Sequence, residues 1–176
     1  MKKILPFIIT ITLLCGCSTQ PLQLSSADFQ YIKLYNQADF DSIIQHNDST
    51  IIFAWTEWCG ASHNMLKRYL IPFLKEKPDN IGIISICCAN PSKLTSFIEE
   101  NECKHVVYLL SESWSGLDKW KFNKFFHAQF DNYHSVNYVP IVILCDKQKQ
   151  ILNWDAASEQ YLDVGSVIWQ IENSNK

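Results

Sequence analysis

A chain of 176 residues, 47% hydrophobic and 19% charged, has the length and make-up of one globular domain rather than a disordered segment. Its formal charge is −3 and it carries no basic patch or stripe, which argues against nucleic acid as a partner. No internal repeat or low-complexity block is present.

The first residues stand apart from the rest. Lys2 and Lys3 form a basic start, and Ile4 to Leu14 is apolar except at Pro6, Thr10 and Thr12. That run is shorter than the roughly 20 residues a membrane-spanning helix needs, so residues 1–16 read as a secretion signal. A buried N-terminal helix is the alternative, and it fits poorly with the flanking lysines and the small residues that follow. Leu14-Cys15-Gly16-Cys17 resembles the lipobox of bacterial lipoproteins, in which an apolar residue and two small ones precede an invariant cysteine. Cys15 is an unusual occupant of its place. The resemblance implies cleavage before Cys17 and its acylation, and several acyl chains on one residue give stable anchoring. Loss of Met1 to Gly16 removes two lysines and no acids, taking the formal charge from −3 to −5. The expected product is an acidic, extracytoplasmic globule tied by lipid to a bacterial envelope membrane. Residues 17–27 would be the tether and residues 28–176 the folded domain.

Of the seven cysteines, Cys15 leaves with the signal and Cys17 carries lipid. Cys59, Cys87, Cys88, Cys103 and Cys145 remain, an odd set without the density of a disulfide scaffold. In an oxidising compartment at least one thiol then needs a use or burial.

Phe29 to Leu34 reads as a first strand, and Phe40, Ile43 and Ile44 sit at helical spacing with Asp39 as a candidate N-cap. Ile51 to Trp55 is apolar without alternation, as expected for a central strand. Met65, Leu66, Tyr69, Leu70, Phe73 and Leu74 then form one helix face, which Pro72 should kink or re-set near its C-terminal third. Asn80 to Cys88 reads as a buried strand. Asn90-Pro91 opens a helix to Glu100, Val106 to Leu110 is a third apolar strand, and Leu117 to Phe130 is helical. The aromatic group Trp114, Trp120, Phe122, Phe125, Phe126, Phe130 and Tyr133 reads mostly as helix-face core, part of it a candidate partner surface. Pro140 should start the strand Ile141 to Asp146 rather than sit inside it. Ile151 to Trp154 reads as its hairpin partner and Tyr161 to Ile171 as a closing amphipathic helix. Alternating strands and helices, then a hairpin and a helix, make an α/β sandwich.

Trp55-Thr56-Glu57-Trp58-Cys59-Gly60 resembles the approach of thioredoxin-like proteins to their nucleophile, and Tyr133, Val136, Pro140 and Leu144 to Lys147 resemble that superfamily's cis-proline segment. The strand–helix–strand–helix between Ile81 and Phe130 resembles the insertion of its membrane-tethered, extracytoplasmic members. Together they cover residues 29–173 and imply a three-layer α/β/α sandwich with a mixed central sheet and an inserted strand–helix unit. They also imply that Trp58 and Gly60 border the substrate, that Val139 pairs its backbone with it, and that the Val139–Pro140 bond is cis. A plain strand-edge proline is the alternative.

A cysteine opening a helix lies near unpaired N–H groups and the positive dipole end, which favour thiolate. Gly60 allows a tight turn beside Cys59. His63, one helical turn on, could add positive charge, or be an ordinary exposed histidine. Cys59 could equally be an inert small residue. Ser62 stands where the resemblance places a second cysteine. A hydroxyl cannot resolve a mixed disulfide, because only a thiolate exchanges. Phe53 replaces the buried acid that some members carry six residues before the nucleophile. Cys87 and Cys88 end a parallel strand, at the edge where ligand sites cluster, but adjacent cysteines there are more often packing residues. Cys59 and His63, with His105, His127 or His134, make at best a weak metal set. No metal or cofactor is expected.

The leading expectation is therefore a lipid-anchored thioredoxin-like protein in which Cys59 acts as a monothiol, exchanging with protein or small-molecule thiols and disulfides. Ser62 argues against ordinary dithiol reductase activity. The alternative is a catalytically inactive binding or assembly lipoprotein that uses the same groove.

Overall fold

Strand β2 (Ser49–Thr56) reads STIIFAWT and is buried at every position after the first. Burial on both faces demands a partner strand on each side and helices above and below. In the structure, a computed structural model that describes residues 31–111 and 117–153, it has all four. β3 (Ile81–Cys88) pairs with it in parallel, Ile52 opposite Ile84, and β5 (Ile141–Asp146) pairs antiparallel, Ile52 opposite Ile143. With β1 (Ile32–Leu34), β4 (Val107–Ser111) and β6 (Ile151–Asn153) the mixed sheet runs β1-β4-β3-β2-β5-β6. The inserted strand is β4, which lies between β1 and β3 and is parallel to both.

The alternation of β2 sorts the helices. Ile51, Phe53 and Trp55 pack with Met65, Leu66, Leu70 and Phe73 of the long central helix and with Leu94 and Phe97 of α4 (Pro91–Glu100). Ile52 and Ala54 face Phe40 and Ile44 of α1 (Gln37–His46), and Phe122 and Phe126 of α5 (Asp118–Gln129). This is the expected α/β/α sandwich. Segments 1–16 and 17–27, with Cys17, lie outside the described residues, as do Phe29, Trp114, Trp154 and the helix read over 161–171.

Local details correct the reading in three places and specify it in a fourth. Asn36, not Asp39, caps α1: its side-chain oxygen accepts the Asp39 N–H at 2.8 Å, leaving Asp39 in the acid-favouring first turn. The re-set expected near Pro72 is present and falls just before it. α2 (Gly60–Met65) widens into a π-helical turn over Leu66–Leu70, in which the Ile71 N–H reaches the Leu66 carbonyl, and α3 (Ile71–Glu76) follows. The wide turn moves the hydrogen-bond ladder by one residue, just where Pro72 has no N–H to give. Trp120 is not core but 71% exposed. α5 buries Asp118, Phe122 and Phe126 at four-residue spacing, and Trp120 falls off that phase. Finally, Gly60 is not required by its turn, since a Cβ there would meet nothing within 4 Å.

Two backbone positions yield stability predictions. At Gly82, opposite Thr50 in the ladder, a Cβ would lie 2.7 Å from Thr50 Oγ1 and 2.9 Å from Asn47 Nδ2. Thr50 is stiff and Asn47 is tied to the Ile43 carbonyl, so Gly82→Ala should lower the unfolding free energy in urea by about 1–3 kcal/mol. Glu102, at φ 50, occupies the left-handed position of a Schellman cap in which its N–H reaches the Glu99 carbonyl and that of Cys103 the Ile98 carbonyl. Glu102→Gly relieves the left-handed side chain and should raise the urea midpoint, by an amount corresponding to about 0.5–1 kcal/mol.

Candidate active site

β2 ends at the carboxyl edge of the sheet and turns directly into the central helix. The Cys59 N–H closes the turn onto the Thr56 carbonyl at 3.3 Å, and the His63 N–H makes the first helical bond to the Cys59 carbonyl at 3.1 Å. Cys59 is thus the N-cap residue, with extended backbone and a side chain that caps nothing. Its half-buried Sγ instead lies 3.5 Å from the Val139 carbonyl oxygen, to which the thiol donates. The Val139–Pro140 bond is cis, Pro140 is buried, and β5 starts at Ile141.

A side chain from α5 holds that segment in place. Asn123 donates to the Val136 carbonyl at 2.8 Å, while its oxygen accepts from the Val136 N–H at 3.0 Å and the Tyr133 hydroxyl at 2.7 Å. Trp58, 47% exposed, is fixed from the same helix, its indole N–H donating to Asp118 Oδ2 at 2.9 Å. Asp118 is fully buried, and Lys121 lies 3.6 Å from its other oxygen. Between these groups opens a pocket of about 300 Å³ lined by Trp58, Cys59, Asp118, Lys119, Asn137, Tyr138 and Val139.

Ser62 is fully buried, and the polar atoms Thr56 Oγ1, Glu57 Oε2 and His63 Nε2 are buried around the same turn. Glu57 accepts from the Asn90 N–H at 3.3 Å through its other oxygen. His63 is not the exposed histidine of one sequence reading: its ring packs on Phe97, centroids 4.3 Å apart.

The other cysteines are placed differently. Cys87 and Cys88 sit opposite Trp55 and Thr56 at the same sheet edge as Cys59, but both are fully buried. Burial raises the Cys87 thiol well above its ordinary value and pushes Cys88, which is 3.3 Å from Ser111 Oγ, up to about 12. Burial also takes Cys145 up to about 12 and Cys103 to about 11. Cys103 lies 3.1 Å from Nδ1 of His105, an imidazole that burial lowers to about 4. His127 is engaged with Ser135 Oγ at 2.8 Å. Among the described residues no three His, Cys, Asp or Glu side chains are grouped to hold a metal ion.

The structure therefore brings together Trp58, Cys59 and Val139, with Gly60 and the cis Pro140 their chain neighbours, while Ser62 is buried and is not among the pocket's lining residues. It adds Asp118, Lys119, Asn123, Asn137 and Tyr138, which the sequence did not single out. Asp118 carried one weak signal, as an acid in the first turn of a predicted helix.

No family model and no curated protein matches the sequence. Solved structures do. A thioredoxin-related protein from Neisseria meningitidis serogroup B is 11% identical, with 73% of this chain and 86% of that one covered at a TM-score of 0.52. The thioredoxin domain of a thiol-disulfide oxidoreductase from Bacteroides vulgatus is 14% identical, with 74% and 82% covered at 0.51. At these identities the likeness establishes the fold, and the fold is thioredoxin-like.

Asn123→Ala should remove the hydrogen bonds that Asn123 makes to the Val136 N–H and carbonyl and to the Tyr133 hydroxyl. The expected loss, read from urea unfolding, is about 2–4 kcal/mol.

Proposed function

We propose that the protein carries out thiol–disulfide exchange through Cys59 alone, as an extracytoplasmic protein anchored by lipid at Cys17. The observation that carries the exchange reading is the contrast among the thiols. Cys59 lies at an open pocket against the Val139 carbonyl, while Cys87, Cys88, Cys103 and Cys145 are buried. Burial raises all four above the ordinary thiol value, which further disfavours the thiolate that exchange needs. The two structural neighbours bear names of thioredoxin and thiol-disulfide oxidoreductase type, which is consistent with the same chemistry.

In the proposed reaction the Cys59 thiolate attacks a substrate disulfide, forming a mixed disulfide and expelling one substrate sulfur as thiolate. Trp58 and Gly60 border the incoming chain, Val139 offers its backbone, and Pro140 shapes the groove. Ser62, buried and without a sulfur, cannot complete the cycle, so the mixed disulfide persists until an outside thiol resolves it. That same serine favours the second reading, a binding or assembly lipoprotein using the groove without chemistry. The lipid anchor and its compartment rest on the Leu14-Cys15-Gly16-Cys17 pattern.

Capture of mixed disulfides in the native envelope separates the two. The wild type should trap partners that reducing agent releases, Cys59→Ala should trap none, and Ser62→Cys should trap fewer because its second thiolate releases them. Absence of trapped partners in the wild type, or their persistence in Cys59→Ala, contradicts exchange through Cys59.

A further inference from the structure

Exchange through one thiol leaves the resolving step to a molecule from outside, and the pocket beside Cys59 has features that select one. Its volume of about 300 Å³ is at the small end for small-molecule sites and suits a tripeptide-sized ligand. The rings of Trp58 and Tyr138 supply apolar walls, and Asn137 and Val139 supply polar groups.

The charges are unequal. Two ionised side chains line the pocket, Asp118 and Lys119. Asp118 is spent within the protein, one oxygen accepting from Trp58 Nε1 at 2.9 Å and the other 3.6 Å from Lys121 Nζ. Lys119 has no ion pair among the described residues. Among the described residues the pocket therefore offers one unmatched cation beside a thiol, in a chain of formal charge −3.

We infer that the pocket takes a small thiol bearing a carboxylate, held by Lys119 with its sulfur at Cys59, and that this thiol resolves the mixed disulfide. The inference rests on Cys59 being the exchanging residue. The bound thiolate attacks Cys59 Sγ; the bond from Cys59 to the substrate sulfur breaks, and that sulfur leaves with the electron pair and is protonated. Cys59 then holds the small thiol as a disulfide. A second small thiolate attacks the small thiol's own sulfur, forming the symmetrical small disulfide and returning Cys59 as thiolate. One mixed disulfide and two small thiols thus give a substrate thiol, the Cys59 thiol and one small disulfide.

The test uses the full chain converted at Cys59 to its thiopyridyl disulfide with 2,2′-dipyridyl disulfide, an uncharged reagent, with the site confirmed by mass mapping. Release of 2-thiopyridone by glutathione and by glutathione diethyl ester is compared at equal thiolate concentration and low salt. Glutathione should react faster by about tenfold, with saturation. Lys119→Gln should bring the ratio near one, while Lys147→Gln, at an exposed turn residue, should keep it. Equal or faster reaction of the ester in the wild type, or a ratio that survives Lys119→Gln, overturns the inference and leaves exchange by Cys59 standing. Failure of the reagent to modify Cys59 overturns both.

Discussion

Cys59 owes its surroundings to a clamp between two parts of the chain eighty residues apart. The end of β2 is fixed by its pairing on both sides, parallel to β3 and antiparallel to β5. The Val139 carbonyl reaches Cys59 only because Asn123 binds both backbone groups of Val136 and the Tyr133 hydroxyl. Trp58 is held from the same helix through Asp118. Helix α5 is therefore more than a layer of the sandwich. It positions both walls of the pocket, and the inserted unit that brings it there is what gives this site its particular lining.

On the proposed reading such a site does half of a familiar reaction. A thiol at a helix start, beside a groove shaped by a buried proline, would attack a disulfide. Ser62 then keeps the position of a resolving group but not the sulfur, and it is fully buried.

The fold was largely legible because its signals are local. β2, β3 and β5 appear as unbroken apolar runs since strands covered on both faces have no polar side to show. Asn90-Pro91 marks α4 because cap and first-turn geometry are built into those two residues. Where several local choices were open, the reading slipped. Asn36 and Asp39 are both good caps, and only backbone geometry decides between them. Trp120 lies among phenylalanines in sequence, but helical phase turns it to solvent. Within the site, Trp58, Cys59, Val139 and Pro140 were legible through resemblance. Asp118, Lys119 and Asn123 were not, because their roles arise from contacts with segments far away in sequence, which no spacing along the chain records.

The central claim is that Cys59 alone among the described cysteines is available for chemistry in the folded protein. Alkylation of the native protein with iodoacetamide at neutral pH, with modified sites mapped by mass spectrometry over time and again in urea, tests it most directly. The account predicts early modification of Cys59, with Cys87, Cys88, Cys103 and Cys145 labelled only on unfolding. Labelling of any of those four at a rate matching Cys59, or a Cys59 that stays unmodified until the protein unfolds, would contradict it.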